Sequence, residues 1–133
     1  MAKTKVICDT DVMIDYFDTQ NSRHNKTKQL IEEEIQLDNI WLSAITQMEL
    51  LVGATNKISL ISINKKIKRF NIFLISNEIT LISLSLLQDY KLRYGLAIPD
   101  SLIAATAIET GFELFSYNTK DFKFIEGLKL YKY

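Results

Sequence analysis

Apolar positions along the chain fall into two alternating kinds of segment. Short strand-like runs stand at residues 5–8 (K-V-I-C), 40–42, 72–75 and 114–117, and the first shows no alternation, the pattern of a strand covered on both faces. Between them lie longer segments with apolar residues at helical spacing. These are residues 12–17 behind a capping Asp11, 26–35 with Glu32, Glu33 and Glu34 toward solvent, 46–52 ended by Gly53, and a basic amphipathic stretch at 60–69. Two more follow, 77–94 stopped by Gly95 and an Ala-rich segment opened by Pro99 and stopped by Gly111. Residues 128–131 suit a short fifth strand. Strands alternating with helices predict an α/β fold, a single domain over residues 1–133 with a mostly parallel sheet of four to five strands and helices on both faces.

Composition narrows the picture. With 133 residues and 47% hydrophobic content the chain can build one real core and has no room for a second domain. Lys plus Arg equals Asp plus Glu at 16 each, so no global field draws the protein to nucleic acid or membrane, and any polyanion site must be local. The lone Cys8 excludes an internal disulfide, and the polar start of the chain carries no signal peptide or apolar span, so a reducing, cytoplasmic setting without membrane contact is expected. Cys8 itself reads as a small buried hydrophobe.

Candidate chemistry lies in four carboxylates spread over the whole length: Asp9 after K-V-I-C, Glu49 in A-I-T-Q-M-E-L-L, Asp100 after A-I-P, and Asp121 in S-Y-N-T-K-D-F. Each sits where an apolar strand gives way to a polar turn or a helix start. In an open α/β sheet the crevice at the carboxyl ends of the strands is where sites are built, so acids at successive junctions converge on one pocket. Their mutual repulsion calls for a cation, and hard oxygen donors without Cys or His favour Mg²⁺ or Mn²⁺ over Zn²⁺.

Four segments in order carry a family resemblance: D-T-D-V-M-I-D-Y-F at residues 9–17, I-T-Q-M-E-L at 45–50, P-D-S-L-I-A-A-T-A at 99–107, and Y-N-T-K-D-F at 117–122. Together they resemble the ordered motifs of PIN-domain ribonucleases, and most nearly the VapC-type toxins of prokaryotic toxin–antitoxin pairs. The resemblance implies an endoribonuclease that hydrolyses RNA with Mg²⁺ or Mn²⁺, is held inactive by a cognate antitoxin, and pairs as a homodimer. Asp9, Glu49 and Asp100 match the family's three firm acids, and Asp121 lies in its more variable fourth motif, where Asn118 replaces the aspartate of many members. Asp9 and Asp100 are then the direct metal ligands, with Glu49 and Asp121 binding directly or through water and orienting the attacking water.

Other residues are read against plainer roles. Thr10 and Thr46 can fix carboxylate rotamers or merely cap backbone. Asn118, being neutral, can only offer hydrogen bonds around the site. Asp11 reads as a helix cap, Asp15 and Asp18 as a solvated helix face, and the single His24 as a solvated loop residue, which leaves no Ser-His-Asp mechanism to build. Lys65, Lys66, Lys68 and Arg69 form the one dense basic run and are the candidate contacts to an RNA backbone. Tyr16, Phe17, Tyr90 and Tyr94 at helical spacing suit the core better than base stacking, although apolar residues in the early helices exceed what a small core needs, in keeping with a homodimer.

Two competing functions fit parts of the chain. I-C-D-T-D-V also resembles the opening of haloacid-dehalogenase-type phosphatases, but Met13 stands where that pattern wants Thr or Val, and Asp100 stands alone where it wants paired acids. A PIN module that only binds RNA or protein would suit the weakened fourth motif at Asn118, yet keeping Asp9, Glu49 and Asp100 without a metal would be an electrostatic liability.

Overall fold

The computed structural model describes residues 4–133. Strands β1 (Val6–Cys8), β2 (Ile40–Ser43), β3 (Asn71–Phe73) and β4 (Glu113–Phe115) form one fully parallel sheet in the order β3-β2-β1-β4. Around it lie α1 (Thr10–Phe17), α2 (His24–Gln29), α3 (Ala44–Val52), α4 (Lys57–Ile67), α5 (Asn77–Tyr94) and α6 (Ile98–Thr110). The α/β class and the parallel sheet match the expectation from the sequence.

The sheet explains why β1 carries no alternation. Val6 and Cys8 of β1, Ile40 and Leu42 of β2 and Phe115 of β4 pack on Val12, Met13, Leu30, Ile31 and Ile67. The intervening Ile7, Trp41 and Leu114 point the other way, into Ile79, Leu86, Ile103 and Ala104 of α5 and α6. Both faces of the sheet therefore meet an apolar layer, and each fully buried Ile, Leu or Phe contributes about 1.5–3 kcal/mol relative to exposure. Cys8 is wholly buried, and burial pushes its thiol far above the ordinary range.

Element ends differ from the sequence reading where side chains compete with the ladder. β4 stops at Phe115 and not at residue 117, because the Ser116 hydroxyl and the Tyr117 backbone N–H turn to bond Asp9 and Asp11. β3 stops at Phe73, since Leu74 is exposed and Ser76 caps α5 by accepting from the Ile79 N–H at 3.1 Å. α3 begins two residues early because Ser43 accepts from the Ile45 N–H, and α4 begins at Lys57 behind a reciprocal Asn56–Ser59 capping box. The expected helix over 26–35 is α2 followed by a wider helical turn, Leu30–Ile35. The fifth strand reduces to one parallel pairing of Leu130 with Leu114.

Strand order fixes where a site can form. The chain steps outward from β1 to β2 and β3, then crosses back to place β4 on the other side of β1. The crevice at this reversal opens beyond the carboxyl ends of β1 and β4, where Asp9 and the segment from Ser116 onward emerge. Among the described residues no helix is long and apolar enough to cross a membrane.

Candidate active site

Asp9 leaves β1 in extended conformation and caps α1, one Oδ accepting from the Thr10 N–H at 2.7 Å and the other from the buried Ser116 hydroxyl at 2.8 Å. The cap expected of Asp11 thus belongs to Asp9. Asp11 lies one step into the helix, where its Oδ2 accepts from the Tyr117 N–H at 3.1 Å and ties α1 to the segment after β4. Its Oδ1 is buried and lacks a donor, facing the carboxyl of Asp9. A shared proton, a water or a cation would answer such an oxygen.

Glu49 comes from the exposed side of α3 and is drawn to the same place by Thr10, whose hydroxyl donates to Glu49 Oε1 at 2.6 Å. The hydroxyl of Thr46, fully buried one turn before Glu49, lies 3.0 Å from that of Thr10. The two threonines therefore brace Glu49, Thr46 acting through Thr10. Asp100 enters from the first turn of α6, where Pro99 occupies the second helical position and needs no partner for its missing N–H. Asp121 ends a tight turn, Thr119–Asp121, that follows β4, with its own N–H bonded to the Asn118 carbonyl at 2.9 Å. Exposed Asn118 joins the network through its backbone N–H, which donates to Ser116 Oγ at 3.0 Å.

Four of these acids lie within one another's field. Burial pushes the Asp100 carboxyl up to about 6, and Asp9, Asp121 and Glu49 add to the rise in that order. Asp9 is raised by burial, against the hydrogen bonds from Ser116 and Thr10 that favour its charge, and Glu49 raises it further. Asp11 is pushed up to about 7 by burial and then by Asp9. Among the described residues none of these acids is ion-paired. Among the described residues no three of them stand close enough together to hold a metal ion as they are. They offer oxygen donors only, with Asp9, Asp11 and Asp100 pushed up and one buried Asp11 oxygen without a partner, a donor chemistry that fits a hard divalent ion.

Of the three residues read as solvated from the sequence, Asp18 is exposed and the other two are not. Asp15 is buried, and its Oδ2 is paired with Arg23 Nε at 2.7 Å. The Arg23 guanidinium also covers the Tyr117 ring at 4.4 Å, and the Tyr117 hydroxyl meets Thr27 Oγ1 at 2.6 Å. His24 is half-buried at the start of α2, its Nδ1 3.2 Å from the Asp15 carbonyl. In the basic run, Lys66 is half-buried while Lys65, Lys68 and Arg69 are exposed. Ser116 was not singled out from the sequence; a hydroxyl directly after a strand, level with an acid that follows the neighbouring strand, is the signal that marks it.

The family model for the PIN domain matches residues 6–128. The chain belongs to the PIN domain family. A PIN fold accounts for the strand order and for acids arriving from β1, α3, α6 and the segment after β4, and it removes the phosphatase reading. A toxin–antitoxin complex from Klebsiella pneumoniae is similar over 97% of this chain and 100% of that one, with a TM-score of 0.76 and 33% identity. VapBC2 from Rickettsia felis, bound to a DNA fragment from its promoter, shares the fold over 96% of this PIN domain and 98% of that chain, with a TM-score of 0.74 and 24% identity. Ribonuclease VapC1 of Rickettsia felis is 51% identical over 41 residues, a stretch that spans 31% of this chain and 31% of that protein.

Proposed function

We propose that this PIN domain is a metal-dependent endoribonuclease, the toxin of a toxin–antitoxin pair acting in the cytoplasm. The observation that carries this reading is the site around Asp100, which burial and then Asp9, Asp121 and Glu49 push up, while none of these acids is ion-paired among the described residues. Asp9 and Asp100 would hold Mg²⁺ or Mn²⁺, with Glu49 and Asp121 completing the ligand set directly or through water. When bound, the ion makes a water acidic enough to attack at neutral pH and neutralises charge developing on the phosphoryl oxygens. Thr10 holds the Glu49 carboxylate toward the attacking water, and Ser116 holds Asp9 in its rotamer, so neither acid needs to reorganise as charge builds. Hydrolysis breaks the phosphorus–oxygen bond to one of the two flanking nucleosides.

A partner is supported by the surface beside Glu49. A groove of about 470 Å³ runs between α1, α3 and α4, with Ile14, Phe17, Leu50 and Ile63 along its walls and Glu49 and Lys66 at its edges. An antitoxin segment with apolar side chains and a basic group would fill this groove and neutralise the acids. Exposed Met48, Val52, Ile58 and Ile61 on α3 and α4 support a homodimer, which light scattering of the isolated protein at micromolar concentration would reveal.

The test is cleavage of RNA by the purified chain. Activity should vanish in EDTA and return with Mn²⁺ or Mg²⁺. A protein that binds RNA but never cleaves it with either ion would be a binding module, and the enzymatic reading would fall.

A further inference from the structure

We propose that the basic pocket enclosed by α1, α2 and the end of α4 is a phosphate-binding subsite that holds the RNA strand a few nucleotides away from the bond being cut. The proposal rests on the ribonuclease reading above and assigns part of its substrate track.

The pocket, about 210 Å³, gathers cations from two separate helices: Lys28 from α2, Lys66 from α4 and Arg69 from just beyond it. Lys66 and Arg69 stand three positions apart, on one face of a helical path, whereas Lys65 and Lys68 line neither this pocket nor the groove beside Glu49. The contiguous run in the sequence is thus divided by the fold. A solvated helix face spreads its charges; here they converge on a concavity.

One carboxylate, Glu32, shares the pocket and is already engaged, accepting from the Tyr16 hydroxyl at 2.6 Å. Arg69 faces the same phenol. Neither Lys28 nor Lys66 is ion-paired among the described residues, and Lys66 Nζ lies 5.6 Å from the centroid of the Phe17 ring. Three cations against the one carboxylate of Glu32 leave this pocket with an excess of positive charge, the opposite sign to the acids at the other end of α1.

The pocket is continuous with the cleavage site. Phe17 and Lys66 line both it and the groove whose far edge is Glu49. Thr10, which holds Glu49, and Phe17 are the first and last residues of α1, about 10 Å apart along the helix axis. A strand with one phosphate at the acids would present a neighbouring one to Lys66 and Arg69. A neutral chain would in this way acquire a local polyanion site without an overall positive field.

The test compares the double variant Lys66→Gln/Arg69→Gln with Lys91→Gln/Arg93→Gln, which removes the same charge from the exposed last turn of α5. Binding of a labelled single-stranded oligoribonucleotide that spans both sites is measured in EDTA across a salt series, and cleavage with Mn²⁺ is measured on that RNA and on one too short to leave the acids. The pocket variant should lower the slope of log Kd against log salt by about 1.4, and raise KM for the long RNA about tenfold with kcat unchanged, for two lost phosphate contacts. The short RNA and the α5 variant should behave as wild type. Equal losses on long and short RNA, an unchanged salt slope, or the same loss from the α5 variant would overturn the subsite. An acidic peptide released by the pocket variant while RNA binding stayed intact would assign the pocket to a protein partner instead. Should wild type cleave neither RNA, the ribonuclease reading fails on its own, and the salt slopes in EDTA still decide the subsite.

Discussion

Helix α1 carries buried acids at both ends of its inner face, and the two ends are treated differently. Asp15, in the second half of the helix, receives Arg23 at 2.7 Å, and that guanidinium is itself packed against the Tyr117 ring. Asp9 and Asp11, at the start, receive only hydrogen-bond donors, from Ser116, Thr10 and Tyr117, while Glu49 and Asp100 bring more negative charge. A carboxylate that serves the fold has its cation built in. We propose that the acids left in one another's field take their counter-charge from outside; buried Asp9 and buried Asp15 fall on opposite sides of this contrast, so it separates architecture from function where burial does not.

Charge-neutralising substitutions should break the comparison most sharply. Asp9→Asn, Glu49→Gln and Asp100→Asn should each cut Mn²⁺-dependent RNA cleavage by more than about 100-fold, since each removes a ligand charge and keeps volume. Wild-type rates in any two of them would place the site elsewhere. In the absence of metal, Asp100→Asn should raise the melting temperature by relieving repulsion. Arg23→Gln should lower it, at a cost of about 2 kcal/mol, because Asp15 is left buried without its cation. Thermal melts of the two variants in EDTA check the opposite signs, and shifts in the same direction would erase the distinction.

The pH dependence should follow from the same acids. Folding raises Asp100 to about 6 and Asp11 to about 7, so the folded state holds protons that the unfolded chain has released. Their contribution to stability is full below the ordinary carboxylate range and is lost as pH rises through about 6 to 7. Metal-free protein should accordingly melt lower at pH 8 than at pH 5, with a shallower slope in Asp100→Asn. An identical slope in that variant would show that Asp100 does not titrate in the site.

Much of this was legible in the sequence. Four short apolar runs mark the strands, the first without alternation as a doubly covered strand, and an acid directly after such a strand lies in the crevice by topology alone, as Asp9 does. Long-range pairing was not legible. Nothing local says that Asp15 meets Arg23, eight residues on and beyond a turn, or that His24 folds back to the Asp15 carbonyl. Ser116 was missed for a related reason, because its partner Asp9 is 107 positions away and only the pairing of β1 with β4 brings them together. The end of β4 was misplaced by the same contacts: apolar Tyr117 suits a strand, but its N–H is taken by Asp11.

A smaller effect is expected at the least regular corner of the site. Asp121→Asn should reduce cleavage strongly if its carboxylate helps hold the ion, while Asn118→Ala, at an exposed position linked through its backbone, should cost little. Asn118→Asp should tighten Mn²⁺ binding if that side chain reaches the acids. Unchanged metal affinity in Asn118→Asp together with full activity in Asp121→Asn would leave three acids to do the work.

The central claim is that the unpaired acids at the start of α1 await a divalent cation. Calorimetric titration of Mn²⁺ into the metal-free wild type and into Asp100→Asn tests it most directly. Saturable binding in wild type that tightens as pH rises from 5 to 8, as protons leave the acids, and that is lost or greatly weakened in Asp100→Asn, is the predicted result. No binding by wild type, or equal affinity in the two proteins, would contradict it.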